Sequence, residues 1–179
     1  MNKWLAFTLA AVIFLTLHEG AHALIAAIYG EYKAFHWSIF PQVIFRTPVE
    51  ERAGIQWALI SGTSNLVTLS LGYLLLVLGQ RIARSQSMFL KASIYYLTLI
   101  ALLVDAINLS IGPFIYGGDA NGIAVGLGIS RYLVQIIFFL ILLLNRELVA
   151  QKLFPMYAVK TEHPLLRPWI QFKKKMASL

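Results

Sequence analysis

The chain has 179 residues, 59% hydrophobic and 13% charged, with a net charge of +7 and no cysteine. One domain's length of chain at a mean hydropathy of +0.71 excludes ordinary soluble-domain usage and points to an integral membrane protein. The missing cysteines exclude a disulfide framework, a thiolate metal site and a cysteine nucleophile; the basic residues lie between and after apolar spans, which marks membrane flanks and not a nucleic-acid surface.

The first apolar span covers residues 4–29, long enough to cross a bilayer, with Gly30 as its stop. Lys3 before the apolar run gives it the outline of a signal peptide, but no small-residue cleavage site precedes His18, so the helix is expected to be retained. Its second half carries His18-Glu19-Gly20-Ala21-His22. Residues four apart stack on one helix face, so His18 and His22 can hold one zinc ion while Glu19 reaches a metal-bound water. The plainer alternative is two buried histidines hydrogen-bonded to neighbouring helices. Ionisable groups inside an apolar span are costly and are functional sites by default, which favours the metal.

Between residues 31 and 52, Phe35, Trp37 and Ile39 alternate with Ala34, His36 and Ser38, and Val43 and Phe45 follow Phe40-Pro41-Gln42. This pattern fits either a small β-hairpin at the membrane surface or an amphipathic loop; His36 reads as an interfacial polar residue. The second span, residues 55–79, has no formal charge but holds Ser61-Gly62-Thr63-Ser64-Asn65 in its first half. Small residues let helices approach closely, whereas the buried amide of Asn65 needs partners. After Arg81, Arg84 and Lys91, a third span over residues 92–111 carries Asp105 and Asn108, and Gly112-Pro113 ends it. Tyr116-Gly117-Gly118-Asp119-Ala120-Asn121-Gly122 then reads as irregular backbone lining a polar cavity. The last span starts at Gly122 or near Tyr132 and ends at Asn145. The expected division is a transmembrane domain over 1–145 and a basic surface tail over 146–179, whose Lys173-Lys174-Lys175 attracts anionic headgroups.

The fold class expected is an all-α polytopic membrane protein of about four transmembrane helices. Such a bundle brings the histidines, Asn65, Asn108 and Asp119 towards one membrane face. A catalytic zinc takes three protein ligands and keeps one position open. Asp119 is the favoured third ligand, because glycines before it let the backbone aim the carboxylate. Asp105, about two turns deeper than the Gly112-Pro113 break, is the rival, or hydrogen-bonds the polar face of the second span.

His18-Glu19-Gly20-Ala21-His22 in a first span, Gly62-x-x-Asn65 in the next, and Asn108 followed by Pro113 and Asp119 resemble the site-2 protease family of intramembrane zinc metalloproteases. The resemblance covers about residues 4–128 and is closest to short members without a soluble regulatory domain. The family's downstream motif is typically Asn-x-x-Pro-x-Pro-x-x-Asp-Gly; here one proline has a counterpart, the Asn-to-Asp spacing is longer and Ala120 replaces the glycine. The resemblance implies His18, His22 and Asp119 as zinc ligands and Glu19 as general base.

The activity expected is hydrolysis of peptide bonds in membrane-embedded substrates through a zinc-bound water. Asn65 and Asn108 would orient substrate or hold the oxyanion, or would only bond between helices. A catalytically silent zinc-binding scaffold or chaperone is the alternative, against which an intact Glu19 speaks. A metal transporter would spread its ionisable groups along a path. The expected location is a lipid bilayer, as a multi-pass protein of the cell membrane. Lys3, Arg81, Arg84, Lys91, Arg146, Lys152 and Lys160 on one side against Lys33, Arg46, Arg52 and Arg131 on the other place the N-terminus inside; the resemblance implies a zinc nearer the cytosol, the opposite orientation.

Overall fold

The computed structural model describes residues 2–38, 41–115 and 118–170. Ile39, Phe40, the Tyr116-Gly117 pair and the lysines at 173–175 lie outside the described residues.

Helix α1 (Lys3–Ile28) starts where the Asn2 side chain accepts the Trp4 N–H at 3.1 Å. It stops at Gly30, whose φ of +71° lets the N–H groups of Gly30 and Glu31 reach the carbonyls of Ala27 and Ala26. The buried residues of α1 are Ala6, Ala10, Phe14, His18, His22 and Ala26. They recur every fourth position, so one ridge of the helix faces the bundle and both histidines sit in it.

The segment after α1 is a hairpin and not a loop. Strands β1 (Tyr32–His36) and β2 (Gln42–Phe45) pair antiparallel, Phe35 opposite Val43 and His36 opposite Gln42, with an irregularity between Tyr32 and Ala34. The hairpin is pinned to the helices by its apolar side. Val43 is buried, Phe45 meets the Trp57 ring edge-on at 5.5 Å, and the Arg52 guanidinium lies over Trp57 at 4.3 Å. His36 is exposed on β1, away from the other histidines.

Helices α2 (Gln56–Ala83) and α3 (Met88–Ser110) form the centre, both packed on α1. A 3-10 turn at Gly112–Phe114 follows the expected break at Pro113. Next come α4 (Gly118–Leu127) and α5 (Arg131–Leu148), and α5 continues through a π-helical turn at Val149–Leu153 to Met156. Among the described residues, four helices are long and apolar enough to cross a membrane: α1, α2, α3 with its 3-10 turn, and α5 with its extension. Large apolar side chains such as Trp4, Val77, Ile115 and Leu140 stand on the outside, as in a protein solvated by lipid.

Two expected features differ. The stretch from Gly118 to Gly122 is helical and not irregular, because α4 lies so close to α2 that only glycine fits at the contact. A Cβ on Gly122 would come within 2.0 Å of Ser61 Oγ, and one on Gly126 within 2.1 Å of the Ala58 nitrogen. Close packing offsets glycine's poor helix propensity. The last span starts at Arg131, near the later of the two expected positions, but does not end at Asn145. Asn145 takes a hydrogen bond from Tyr73 and gives one to the Leu102 carbonyl, each 2.7 Å long. Arg146 pairs with Glu147 and donates to the carbonyls of Leu165 and Arg167, so these polar groups are satisfied in place and the helix runs on.

The contacts of Gly122 with Ser61 and Gly126 with Ala58 run α4 back along the first half of α2, leaving Asp119 deeper, beside Asn65. With ten residues α4 spans only about 15 Å. It does not cross, so α1 begins and α5 ends at the same end of the bundle, and the uneven split of basic residues stands. Gly126→Val should lower the thermal midpoint in detergent, since overpacking costs about 1–3 kcal/mol and here the clash is with backbone. Gly62→Ala should leave it nearly unchanged, because its Cβ would meet Ile123 at an ordinary 3.7 Å.

Candidate metal centre

Helices α1 and α2 bring their polar residues to the same depth by arithmetic of length. His22 and His18 lie six and ten residues before the end of α1, about 9–15 Å in, and Ser61 to Asn65 lie about 8–14 Å from the start of α2. Helix α3 meets them with Asp105 and Asn108, and the first turn of α4 supplies Asp119. The result is a polar layer inside an apolar bundle.

His22 Nδ1 is 2.8 Å from the Ile60 carbonyl oxygen. A carbonyl only accepts, so the contact places a ring proton on Nδ1, which in the neutral imidazole leaves the lone pair on Nε2. That Nε2 lies 3.2 Å from Asp119 Oδ1 and 3.0 Å from the Ser64 hydroxyl. His18 repeats the arrangement, with Nδ1 3.2 Å from Asp105 Oδ1 and Nε2 3.4 Å from Asp119 Oδ2. One ligand atom from each of His18, His22 and Asp119 lies within 4.8 Å of the other two. In a tetrahedral site with bonds of about 2.0–2.1 Å, ligand atoms stand about 3.3–3.4 Å apart; here the two imidazoles meet different oxygens of Asp119. Two imidazoles and one carboxylate are also a donor set that suits zinc.

Asp119 is aimed by its neighbours. Its Oδ2 accepts from Asn65 Nδ2 at 2.9 Å and from Asn108 Nδ2 at 3.3 Å. Asn65 also donates to the Ser61 carbonyl at 2.8 Å. The φ of +56° at Gly118 puts the chain into the left-handed region one residue before the carboxylate. Asp105 sits apart from the three converging atoms: its Oδ2 accepts from the Thr68 hydroxyl on α2, and its Oδ1 faces His18 Nδ1.

Glu19 is not part of the cluster. It lies half-buried beside the histidine ridge, and its Oε2 accepts the Val43 N–H of β2 at 3.1 Å. Sequence reasoning missed Ser64, Thr68, the Ile60 carbonyl and the Val43 N–H. A polar stripe at 61, 64, 65 and 68, with helical spacing, was readable for the first two. Backbone groups leave no trace in residue identity.

No family model, no curated protein and no solved structure matches the chain. The site therefore stands on its own chemistry. His18, His22 and Asp119 are three side chains that could hold a metal ion, and Glu19, next to His18 on α1, lies outside that group.

Asn65→Ala removes a buried donor to Asp119 and leaves the carboxylate under-satisfied. The expected loss is about 1–3 kcal/mol, read as a lower unfolding midpoint in metal-free detergent solution. An unchanged midpoint would remove Asn65 from the support of Asp119.

Proposed function

We propose that this chain is an intramembrane zinc metalloprotease of the site-2 protease type, a multi-pass protein of the cell membrane acting on membrane-embedded substrates. The observation that carries the reading is the shared geometry of the two imidazoles. His22 Nδ1 is hydrogen-bonded to the Ile60 carbonyl, His18 Nδ1 lies 3.2 Å from Asp105 Oδ1, and both Nε2 atoms face Asp119. His18, His22 and Asp119 would hold the ion, which fits a three-ligand site with room for substrate. Bound there, zinc would supply Lewis acidity, making water a nucleophile near neutral pH and polarising the scissile carbonyl.

The residues around the ligand set do the rest. Glu19 takes a proton from the attacking water on its carboxylate and delivers it to the leaving amine nitrogen. Asn65 and Asn108 hold Asp119, with both amide protons of Asn65 committed, to Asp119 and to the Ser61 carbonyl. The apolar walls on both sides of the layer keep bulk water out.

A transmembrane helix hides its carbonyls in its own hydrogen bonds, so the substrate must be extended at the cleavage point. The hairpin offers a strand edge for such a segment. In β2 the Val43 N–H is held by Glu19. An extended segment that pairs at Val43 competes for that N–H and frees Glu19 for the proton transfer. Strand pairing and base release are then one event.

Purified protein should hold about one zinc per chain, and His18→Ala or His22→Ala should lose it. Glu19→Gln is nearly isosteric and should retain zinc while turnover of a reconstituted membrane peptide falls by about 100-fold or more. Zinc content and cleavage are measured on the same preparations in the same lipid. Full metal content in both histidine variants would end the metal reading. Zinc bound by wild type without cleavage of any membrane peptide would favour a silent zinc-binding scaffold.

A further inference from the structure

We propose that Asp105 is a positioning residue of this centre: it holds the Nδ1 proton of His18 and so presents His18 Nε2 to the ion. The inference rests on the metal reading above and concerns a residue outside the ligand set.

The two histidines are anchored differently. His22 Nδ1 meets a neutral backbone carbonyl, that of Ile60. His18 Nδ1 lies 3.2 Å from a carboxylate oxygen, Asp105 Oδ1, as a close charge contact, and neither atom is hydrogen-bonded elsewhere or in aligned geometry to the other among the described residues. Asp105 is 1% exposed. A buried carboxylate must be hydrogen-bonded to be tolerated, and its second oxygen is held by the Thr68 hydroxyl. Thr68 comes from α2, Asp105 from α3 and His18 from α1, so the chain of contacts ties three helices to one ring orientation.

A carboxylate behind a ligating imidazole has a definite effect. It fixes the tautomer, restrains the ring, and makes the outer nitrogen a better donor to a metal. It also brings a second negative charge beside Asp119, matching the two positive charges of the proposed ion where solvent screening is weak. Its place explains why Asp105 is not itself a ligand. Its Oδ1 faces Nδ1 of His18, a different ring nitrogen from the Nε2 that faces Asp119.

The test uses full-length protein in detergent, as wild type, Asp105→Asn, Asp105→Leu and Thr68→Val. The first readout is the histidine 15N spectrum of metal-free protein. His18 should be the Nδ1–H tautomer in wild type and in Asp105→Asn, whose amide oxygen can still accept, and mixed in Asp105→Leu. The second is Co2+ affinity with its visible spectrum as the probe. Asp105→Leu should bind about 10–100-fold more weakly, with Asp105→Asn between it and wild type and Thr68→Val losing less. The wild-type spectrum should persist once each variant is saturated, because the ligands are unchanged. If Asp105→Leu does not fold, the asparagine and valine variants carry the same comparison. Unaltered tautomer and affinity would overturn the proposal, as would a saturated Asp105→Asn spectrum showing a lost oxygen ligand. Wild type that binds no Co2+ would instead overturn the metal reading beneath it, so the two failures are distinguishable.

Discussion

A polar layer in the middle of an apolar bundle has to satisfy its own hydrogen bonds, and this constraint organises the molecule. No water is at hand to pair a stray donor, and an unpaired buried polar group costs free energy comparable to a lost hydrogen bond. Several polar groups of the layer therefore find partners on another helix. His22 reaches the Ile60 carbonyl, Thr68 reaches Asp105, and Asn65 and Asn108 both reach Asp119. Apolar packing lies on either side, with Ala10, Phe14, Leu75, Leu97 and Ala101 in one cluster and Ala26, Trp57 and Ile60 in another. Apolar contacts alone tolerate sliding between helices. The polar pairs set the register, because a shift by one turn would unpair several of them together.

Helix α4 is the element that makes the layer a site. The other helices approach it sideways, whereas α4 enters end-on and presents Asp119 in its first turn, where a helix dipole favours negative charge. Its closeness to α2 comes from Gly122 and Gly126, which remove the side chains that would hold the two backbones apart. Because α4 ends its climb beside Ala58 and not on the far side, Asp119 lands at the depth of Asn65. A longer helix in the same place would cross the bilayer and carry the carboxylate away from the histidines.

The opposite end of the bundle shows why buried charge alone does not identify chemistry. Arg146 and Glu147 lie within the last long helix, paired with each other, and the chain at 164–170 folds back onto them. Arg146 donates to the Leu165 carbonyl and stacks on Trp169, while Glu147 accepts the Trp169 N–H and the Gln151 amide. Every one of these groups is paired to a neighbour, with nothing aimed at a common point. In the histidine layer two ring nitrogens and a carboxylate converge instead. Convergence separates a candidate site from a structural clamp.

Residue identity and spacing determined a good deal. The long apolar runs carry the four helices able to cross a membrane among the described residues, because composition is a local property of the chain. The alternation around Phe35 and Val43, in contrast, fits hairpin and loop alike until the strands are seen to pair. The four-residue spacing of His18 and His22 puts both on one face of α1, because helical period is local too. The last helix was cut short at Asn145 because a run of polar residues looks like an exit from the membrane until their partners are known. The helical path of Gly118 to Leu127 was hidden because glycine disfavours a helix unless a neighbour needs the space. Which carboxylate meets the two Nε2 atoms, which one stands behind His18, and what holds Glu19 were decided only by the tertiary structure. Asp105 and Asp119 are the same residue type fourteen positions apart, and their difference lies in the helices that surround them. The Ile60 carbonyl and the Val43 N–H belong to the backbone that every residue shares, so packing alone selects them.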